Sequence, residues 1–502
     1  MTPVYPDAPD SHGSADPSDG VATKAEAAVA TAPSRTAPLV GTVAREVAET
    51  GASPFEQLLG SVDGALRRGA ITQLTRQLGR LHPADTAKVI SHLSTPKDKR
   101  TVFELVRGEK QRGLVLSELD ADSITAVLEE LQAPDLAWLL KDQESDDVAY
   151  VLGVLPNERA QDVLALMKTD VSTEVAGILQ HPKDTAGGIM TTEFFSMPED
   201  ATAQDAIQGL QQATDAKNVY YLYVTDRDER LVGVLSLRQL LRVPAHTALK
   251  HIMTRDVLSV TVAMDQEEVA RQVANYNLLA IPVTEQDGTL VGIITVDDVV
   301  DVIREEATED MLKMAGAPED DALSRSSSWS AARIRFPWLF TNLFGSLLSG
   351  AILWYFRYTL HEVAAIVSFI PVIAAMGGNV GLQSSTLIIR GLATGAIEQG
   401  DAWKVFFREI RVALLLGVAC GALLTLIGAL WHGHSELGMV VGASLLVAFV
   451  VSTSMATFMP IILKRNGIDP AVAAGPFVTT ANDITGITIY LTLATLLLEY
   501  LR

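Results

Sequence analysis

Residues 409–431 read EIRVALLLGVACGALLTLIGALW, and from Val412 to Trp431 no position carries a charge. At 1.5 Å per residue, roughly twenty helical residues cover about 30 Å, the thickness of a bilayer's hydrocarbon core. Four further apolar segments accompany this one, at 336–359, 363–393, 437–463 and 471–499. The pattern predicts a five-helix α transmembrane domain over 336–502.

The loops orient these spans. Arg333 and Arg335 precede the first; Arg390, Lys404, Arg408 and Arg411 surround the connection from second to third; Lys464 and Arg465 follow the fourth. The other side has Arg357 and the terminal Arg502. Basic loops stay in the cytosol, so the N-terminus is expected inside and the C-terminus outside. Residues 1–20, rich in Pro, Asp, Ser and Gly, lack the apolar core of a signal peptide, in keeping with a cytosolic N-terminus.

The charge is uneven. The chain carries −21 in all; the part from Arg333 onward is +2, which leaves −23 before it. Phosphate binding needs a basic face, so a nucleic-acid partner is disfavoured. The acidic part suits a surface that collects cations, and solubility alone would also account for it. The single cysteine, Cys420, permits no intrachain disulfide and no cysteine metal site.

Residues 1–54, rich in Ala, Pro, Ser, Thr and Asp, read as a disordered tail. From 55 to 180 short helical units recur, opened by Leu81-His82-Pro83-Ala84-Asp85, Asp120-Ala121-Asp122-Ser123, Gln132-Ala133-Pro134-Asp135 and Glu144-Ser145-Asp146-Asp147. Each sets a helix-starting Asp or Ser beside an apolar run, as expected for an all-α solenoid. Residues 186–303 repeat internally. Gly188-Ile189-Met190-Thr191 matches His251-Ile252-Met253-Thr254, and Leu231-Val232-Gly233-Val234 matches Leu290-Val291-Gly292-Ile293. Each copy reads as a lead-in segment, a helix, two strands and a second helix, with Asp287-Gly288 turning the second hairpin. An acidic stretch follows, with Asp297, Asp298, Asp301, Glu305, Glu306, Glu309 and Asp310 against one base, Arg304. Its apolar residues fall at helical spacing, so 304–335 reads as a linker helix, broken near Gly316, and an amphipathic connector from Ser324 to Arg335.

Asp483 is the residue that most constrains function. It lies mid-way along the last span, in Gly475-Pro476-Phe477-Val478-Thr479-Thr480-Ala481-Asn482-Asp483-Ile484-Thr485-Gly486. A carboxylate at a span's centre costs about 2.5–3.5 kcal/mol on insertion scales and is functional by default, although a hydrogen bond to a neighbouring helix would also hold it. Thr479, Asn482 and Thr485 offer oxygens, Gly486 leaves backbone open, and Pro476 is expected to loosen the helix and free carbonyls. With oxygen donors alone, a soft transition metal is disfavoured and a hydrated Mg²⁺ is favoured; Ca²⁺ and Mn²⁺ suit the same donors. The second span offers Gly377, Gly378, Asn379 and Gly381, a set that tight packing alone can explain. Gly391-x-x-x-Gly395, Gly417-x-x-x-Gly421 and Gly438-x-x-x-Gly442 also read as packing, and His432 and His434 as an interfacial loop. No P-loop or HExxH occurs, so no enzyme is expected.

The two repeats resemble a tandem CBS pair, a module that often binds adenine nucleotides. Thr295-Val296-Asp297-Asp298 resembles that family's ribose contact, through Thr295 and Asp298; the first copy has Ser236-Leu237-Arg238-Gln239, with Gln239 in place of the acid. The whole order of segments over 55–502, and the stretches Pro371–Arg390 and Gly475–Gly486 in particular, resemble the MgtE family of magnesium channels. That resemblance implies a homodimer of the bacterial inner membrane with one pore on its axis. It places the pore acid at Asp483, and magnesium-binding acids at Asp142, Asp146, Asp265, Glu267, Asp298, Asp301, Glu306, Glu309, Asp310 and Asp469. Asn277 stands where the family can have Asp.

The expectation is therefore a multidomain membrane protein that takes up Mg²⁺ and closes when cytosolic Mg²⁺ binds its acids. Asn379, Thr479, Asn482 and Gly486 are its pore-lining candidates, and ATP is a candidate ligand of the CBS pair. The alternatives are a membrane-anchored nucleotide sensor and a channel for another divalent ion.

Overall fold

The computed structural model describes residues 53–212, 219–317, 328–397, 401–432, 435–471 and 475–497. Most of the expected tail, residues 324–327 of the expected connector, and His434 lie outside them. The chain divides into two compact units, one up to Val299 and one from Val300 onward.

In the first unit, ten helices lie between Pro54 and Ile178 among the described residues. From residue 83 on, each packs on the helix two further along: 83–92 on 109–117, 96–104 on 121–128, 121–128 on 145–154. Val102, Phe103, Leu116, Ile124, Leu128, Leu136 and Val151 fill the space between them. Asp120 caps its helix as expected, accepting from the Ser123 amide at 2.8 Å. The unit at 144–147 differs. Glu144 makes no side-chain cap to helix α1 (Ser145–Val154). Ser145 is buried instead, where its Oγ accepts from the Thr192 amide at 2.9 Å and fixes α1 to the repeat region.

Each repeat copy forms a three-stranded sheet. In the first, β1 (Ser196–Pro198) runs parallel to β2 (Tyr221–Thr225), which pairs antiparallel with β3 (Leu231–Ser236). In the second, β4 (Val260–Thr261), β5 (Ala280–Thr284) and β6 (Leu290–Thr295) repeat the order. The sequence reading missed β1 and β4, which at three and two residues are too short to show alternation. It also missed that the lead-in segments cross over. Thr191 and Ile293 exchange backbone hydrogen bonds at 2.8 and 2.9 Å, and Val234 and Thr254 do so at 3.0 Å. Met190 lies where a Gly292 side chain would go, and Met253 where a Gly233 side chain would go. The two matched motifs of the repeat are thus each other's packing partners across the copies.

Helix α2 (Val296–Ala315) is continuous through the expected boundary at 303 and ends at Gly316, whose φ of +69° suits glycine. The second unit then holds α3 (Ser328–Tyr355), α4 (Ile370–Ala393), α5 (Ala402–His432), α6 (Ser435–Arg465) and α7 (Pro476–Leu496). Four stretches are long and apolar enough to cross a membrane: 332–355, 364–393, 402–431 and 436–465. Helix α7 has 21 residues and is diluted by Thr479, Thr480, Asn482, Asp483, Thr485 and Thr488. Phe369, Ile373, Phe449, Tyr490 and Leu491 form the core of this unit.

Small residues set its closest approach. Helices α5 and α6 cross glycine against glycine: a Cβ at Gly421 would stand 2.8 Å from the Gly442 carbonyl oxygen, and one at Gly428 would stand 2.7 Å from Gly438 Cα. Those two glycine pairs serve packing, as read. Gly391 and Gly395 do not join two helices. Gly391 is covered by Ile397, and Gly395 (φ +69°) turns the chain after α4. Replacing Gly421 with Ile should force the α5–α6 pair apart and cost about 1–3 kcal/mol or more. A thermal melt of the full chain in detergent checks this, and an unchanged Tm would contradict the crossing.

Candidate cation sites

Gly475 is the N-cap of α7, and Pro476 occupies its first turn. The expectation that Pro476 loosens the middle of a span is corrected here: proline in the first turn removes no helical hydrogen bond. Thr485 Oγ1 donates to the Ala481 carbonyl at 2.8 Å, and Thr480 Oγ1 donates to Asn342 Oδ1 on α3 at 3.1 Å. Two of the hydroxyls read as free donors are therefore engaged within the helix or with its neighbour.

Asp483 is half-buried, and Thr479, one turn before it, is exposed. Helix α4 passes them with bare backbone. A Cβ at Gly378 would lie 3.9 Å from Asp483 Oδ1 and 3.7 Å from Thr479 Cγ2. Asn379, beside Gly378, is exposed, and Gly486 is buried near Ile373. The structure thus brings Thr479 and Asp483 to one edge of the unit beside Gly378.

Asn482 goes elsewhere. One residue turns a helix by about 100°, so its side chain leaves the Asp483 face. It is 1% exposed, and a Cβ at Gly381 would strike its amide. A pore-lining place, expected from sequence, does not fit that burial. Ser452, which the sequence reading passed over, shares this junction and donates to the Gly377 carbonyl at 2.7 Å. Glu409 was also missed: it is buried, and accepts from Ser384 at 3.1 Å and from Arg408 Nη2 at 3.0 Å. Its position at the edge of an apolar run was the available signal.

In the first unit, Asp146 on α1 faces Asp298 at the start of α2. Burial, then the negative charge of Asp298, raises the Asp146 carboxyl well above its ordinary range. Its Oδ1 is sealed from solvent with no hydrogen-bond partner among the described residues. Burial also pushes Asp298 up to about 6, although Thr295 Oγ1 donates to it at 2.6 Å. Two partly buried acids that resist ionising together are a candidate place for a cation. Asp142 is exposed one turn before Asp146. In the first repeat copy, Gln239 accepts from the Ser236 amide at 3.0 Å in a capping box, the same local geometry without a charge.

Other acids have local duties. Asp265 caps the helix 266–276, accepting from the Glu267 amide at 2.9 Å, and Glu267 lies in that helix's first turn, where negative charge is favoured. Asn277 ends the same helix in the left-handed conformation, φ +51°, a position that suits Asn. Asp301 is exposed beside Arg304. Along α2, Glu306, Glu309, Asp310 and Lys313 share a face. Lys313 Nζ donates to Asp469 Oδ2 at 2.5 Å and also pairs with Glu309. Asp310 is pushed up by burial and then by the charge of Asp469. Among the described residues, no group of three or more His, Cys, Asp or Glu is arranged to hold a metal.

The profile described as a divalent cation transporter, MgtE, matches residues 370–493. The MgtE intracellular N domain matches 81–184, and CBS domains match 186–246 and 249–305. The magnesium transporter MgtE of Bacillus subtilis (strain 168) is 33% identical over 454 residues, covering 88% of this chain and 97% of that protein. The Thermus thermophilus protein of the same name is 40% identical over 339 residues, 66% of this chain and 74% of its own length. Among solved structures, the cytosolic domain of the Mg2+ channel MgtE in complex with ATP is 34% identical and covers 49% of this chain and 99% of its own, with a TM-score of 0.44.

The Asp146–Asp298 pair makes stability depend on pH. The folded Asp298 carboxyl titrates near 6 and the unfolded one near 3.8, so between those values the folded state holds a proton that the unfolded state has lost. Stability without divalent ions should fall as pH rises across that window, by on the order of 2 kcal/mol, and stay low above it. Mg²⁺ should therefore raise the Tm more at about pH 7.5 than at about pH 5. Asp146→Asn should flatten the difference; equal Mg²⁺ shifts at both pH values would remove the pair as a cation site.

Proposed function

This chain belongs to the MgtE family of divalent cation transporters, and from that membership we propose that it carries Mg²⁺ across a membrane and is shut by cation binding to its acidic part. The observation that carries the reading is Asp483, half-buried in α7 beside the bare Gly378 backbone. In hydrocarbon a carboxylate without purpose is a cost, and here it sits at an open edge. Mg²⁺ dehydrates reluctantly and binds through one or two carboxylates with its waters kept. The names of the Bacillus and Thermus relatives support Mg²⁺ over other divalent ions.

Helix α7 is the fifth span in this reading. Its 21 residues cover about 31 Å, and the polar residues that dilute it include Thr479 and Asp483 of the pathway. Thr479, Asn379 and Asp483 lie at the protomer's outer edge, so a second copy related by a two-fold axis would enclose the path and double the carboxylate. The N-terminus and both acidic sites face the cytosol of a bacterial inner membrane, following the basic loops. An inward potential then favours a divalent ion by about 4.6 kcal/mol per 100 mV. Helices 55–180 act as a solenoid that braces the CBS pair of 186–303, with the linker at 304–335. Cytosolic Mg²⁺ at Asp142, Asp146 and Asp298, and at the linker acids Asp301, Glu306, Glu309 and Asp310 with Asp469, selects the closed state through differential affinity. Asp265 caps a helix and Glu267 lies in that helix's first turn, which accounts for them without an ion. An adenine nucleotide binds at Thr295 and Asp298 of the second copy. A tethered nucleotide sensor would leave Asp483 without a role.

Asp483→Ala should abolish Mg²⁺ uptake into proteoliposomes while the protein still assembles, and Asp483→Asn should fail as well. Normal flux in a well-folded Asp483→Ala protein would remove the pathway assignment. Calorimetry with ATP should lose its heat in Asp298→Ala; an undiminished signal would place the nucleotide elsewhere.

A further inference from the structure

The last turn of α2 rests on the second unit's own helices. Met314 packs with Ile389 of α4 and Ala471 of the α6–α7 loop. The carbonyl oxygens of Lys313 and Met314 both stand 3.2 Å from the point a Gly475 Cβ would occupy, so a side chain there would crowd this approach by a few tenths of an ångström. Gly475 is the residue that starts α7, two turns before Asp483. At this contact three carboxylates gather on α2 and the loop: Glu309, Asp310 and Asp469. Lys313 Nζ pairs with Glu309 on its own helix and donates at 2.5 Å to Asp469, 156 positions away in the chain. Asp469 in turn accepts from the Ala471 amide at 2.7 Å, which holds the loop to the same point.

We propose that Lys313 is a positioning residue, a built-in cation that keeps the end of the linker helix seated against the start of α7 when no metal is bound. An ammonium has three donors, enough to serve carboxylates from two segments at once. It needs no dehydration of a divalent ion to do so, whereas Mg²⁺ at the same acids must give up water. Both groups of the pair are about one-third exposed, so the tether is weak enough to be released and strong enough to bias the helix. With Lys313 present, part of the negative charge of the three acids is already offset. Without it, three like charges face each other across the contact and seating becomes wholly dependent on added cation. The proposal rests on the reading above that the linker acids bind the cation that closes the path; the seat of the last turn is held in both states and is not itself the closure.

Hydrogen–deuterium exchange of the full chain in nanodiscs tests it. In wild type, amides of 311–317 should stay protected in EDTA. Lys313→Met should exchange about tenfold faster there, and saturating Mg²⁺ should restore protection. Lys313→Arg, which keeps the charge, should behave as wild type. A packing role alone would give loss in Lys313→Met without rescue by Mg²⁺, and that result would overturn the proposal. So would full protection of Lys313→Met in EDTA. Mg²⁺ uptake by the same wild-type preparation separates the two readings: protection that follows Lys313 in a protein that moves no Mg²⁺ would leave the tether standing and defeat the transport reading.

Discussion

A carboxylate in a membrane span has to be reached by polar partners, and here the approach is made by an absence of side chain. Gly378 lets α4 lie beside Asp483 and Thr479 without covering them. Gly381, one turn on, admits Asn482 and Ser452 to the same helix. The two faces of α7 are thereby divided. Asn482 is buried within the protomer, while Asp483 stays at its edge. A bulkier α4 would either bury the acid or rotate it away, so the proposed ion path depends on this row of small residues as well as on the acid.

Control lies with the other acids, and their arrangement is less uniform than their number suggests. The Asp146–Asp298 pair is partly buried and resists ionisation, which makes it a candidate for a cation. The cluster at the end of α2 is already partly neutralised by Lys313. Cation binding at the first would join the helical region to the second CBS copy, as Ser145 joins it to the first through Thr192. Binding at the second would act on the residue that opens α7. Two acidic sites of different electrostatic character can then respond over different ranges of cation concentration.

Much of this was legible in the sequence because its causes are local. The apolar runs located the four stretches long and apolar enough to cross a membrane among the described residues, and the motifs at Met190 and Met253 revealed the two copies. Asp483 stood out because a charge in an apolar run violates the pattern around it. What escaped has causes distant in the chain. The crossing of the lead-in segments depends on pairing between copies. The partner of Lys313 is 156 residues away, although its spacing from Glu309 was readable. Pro476 was misplaced because an apolar run shows where a span lies and not where its helix begins. Asn482 was grouped with Asp483 by proximity, though adjacent residues on a helix point apart.

The central claim is that this chain conducts Mg²⁺ and that Mg²⁺ on its cytosolic side shuts it. Inside-out patch recording with Mg²⁺ as the charge carrier examines both halves together. With the cytosolic face free of divalent ions, unitary Mg²⁺ currents should be frequent, and they should disappear as Mg²⁺ at that face is raised into the millimolar range. Currents that persist unchanged at every cytosolic Mg²⁺ concentration, or no Mg²⁺ current in its absence, would contradict the account.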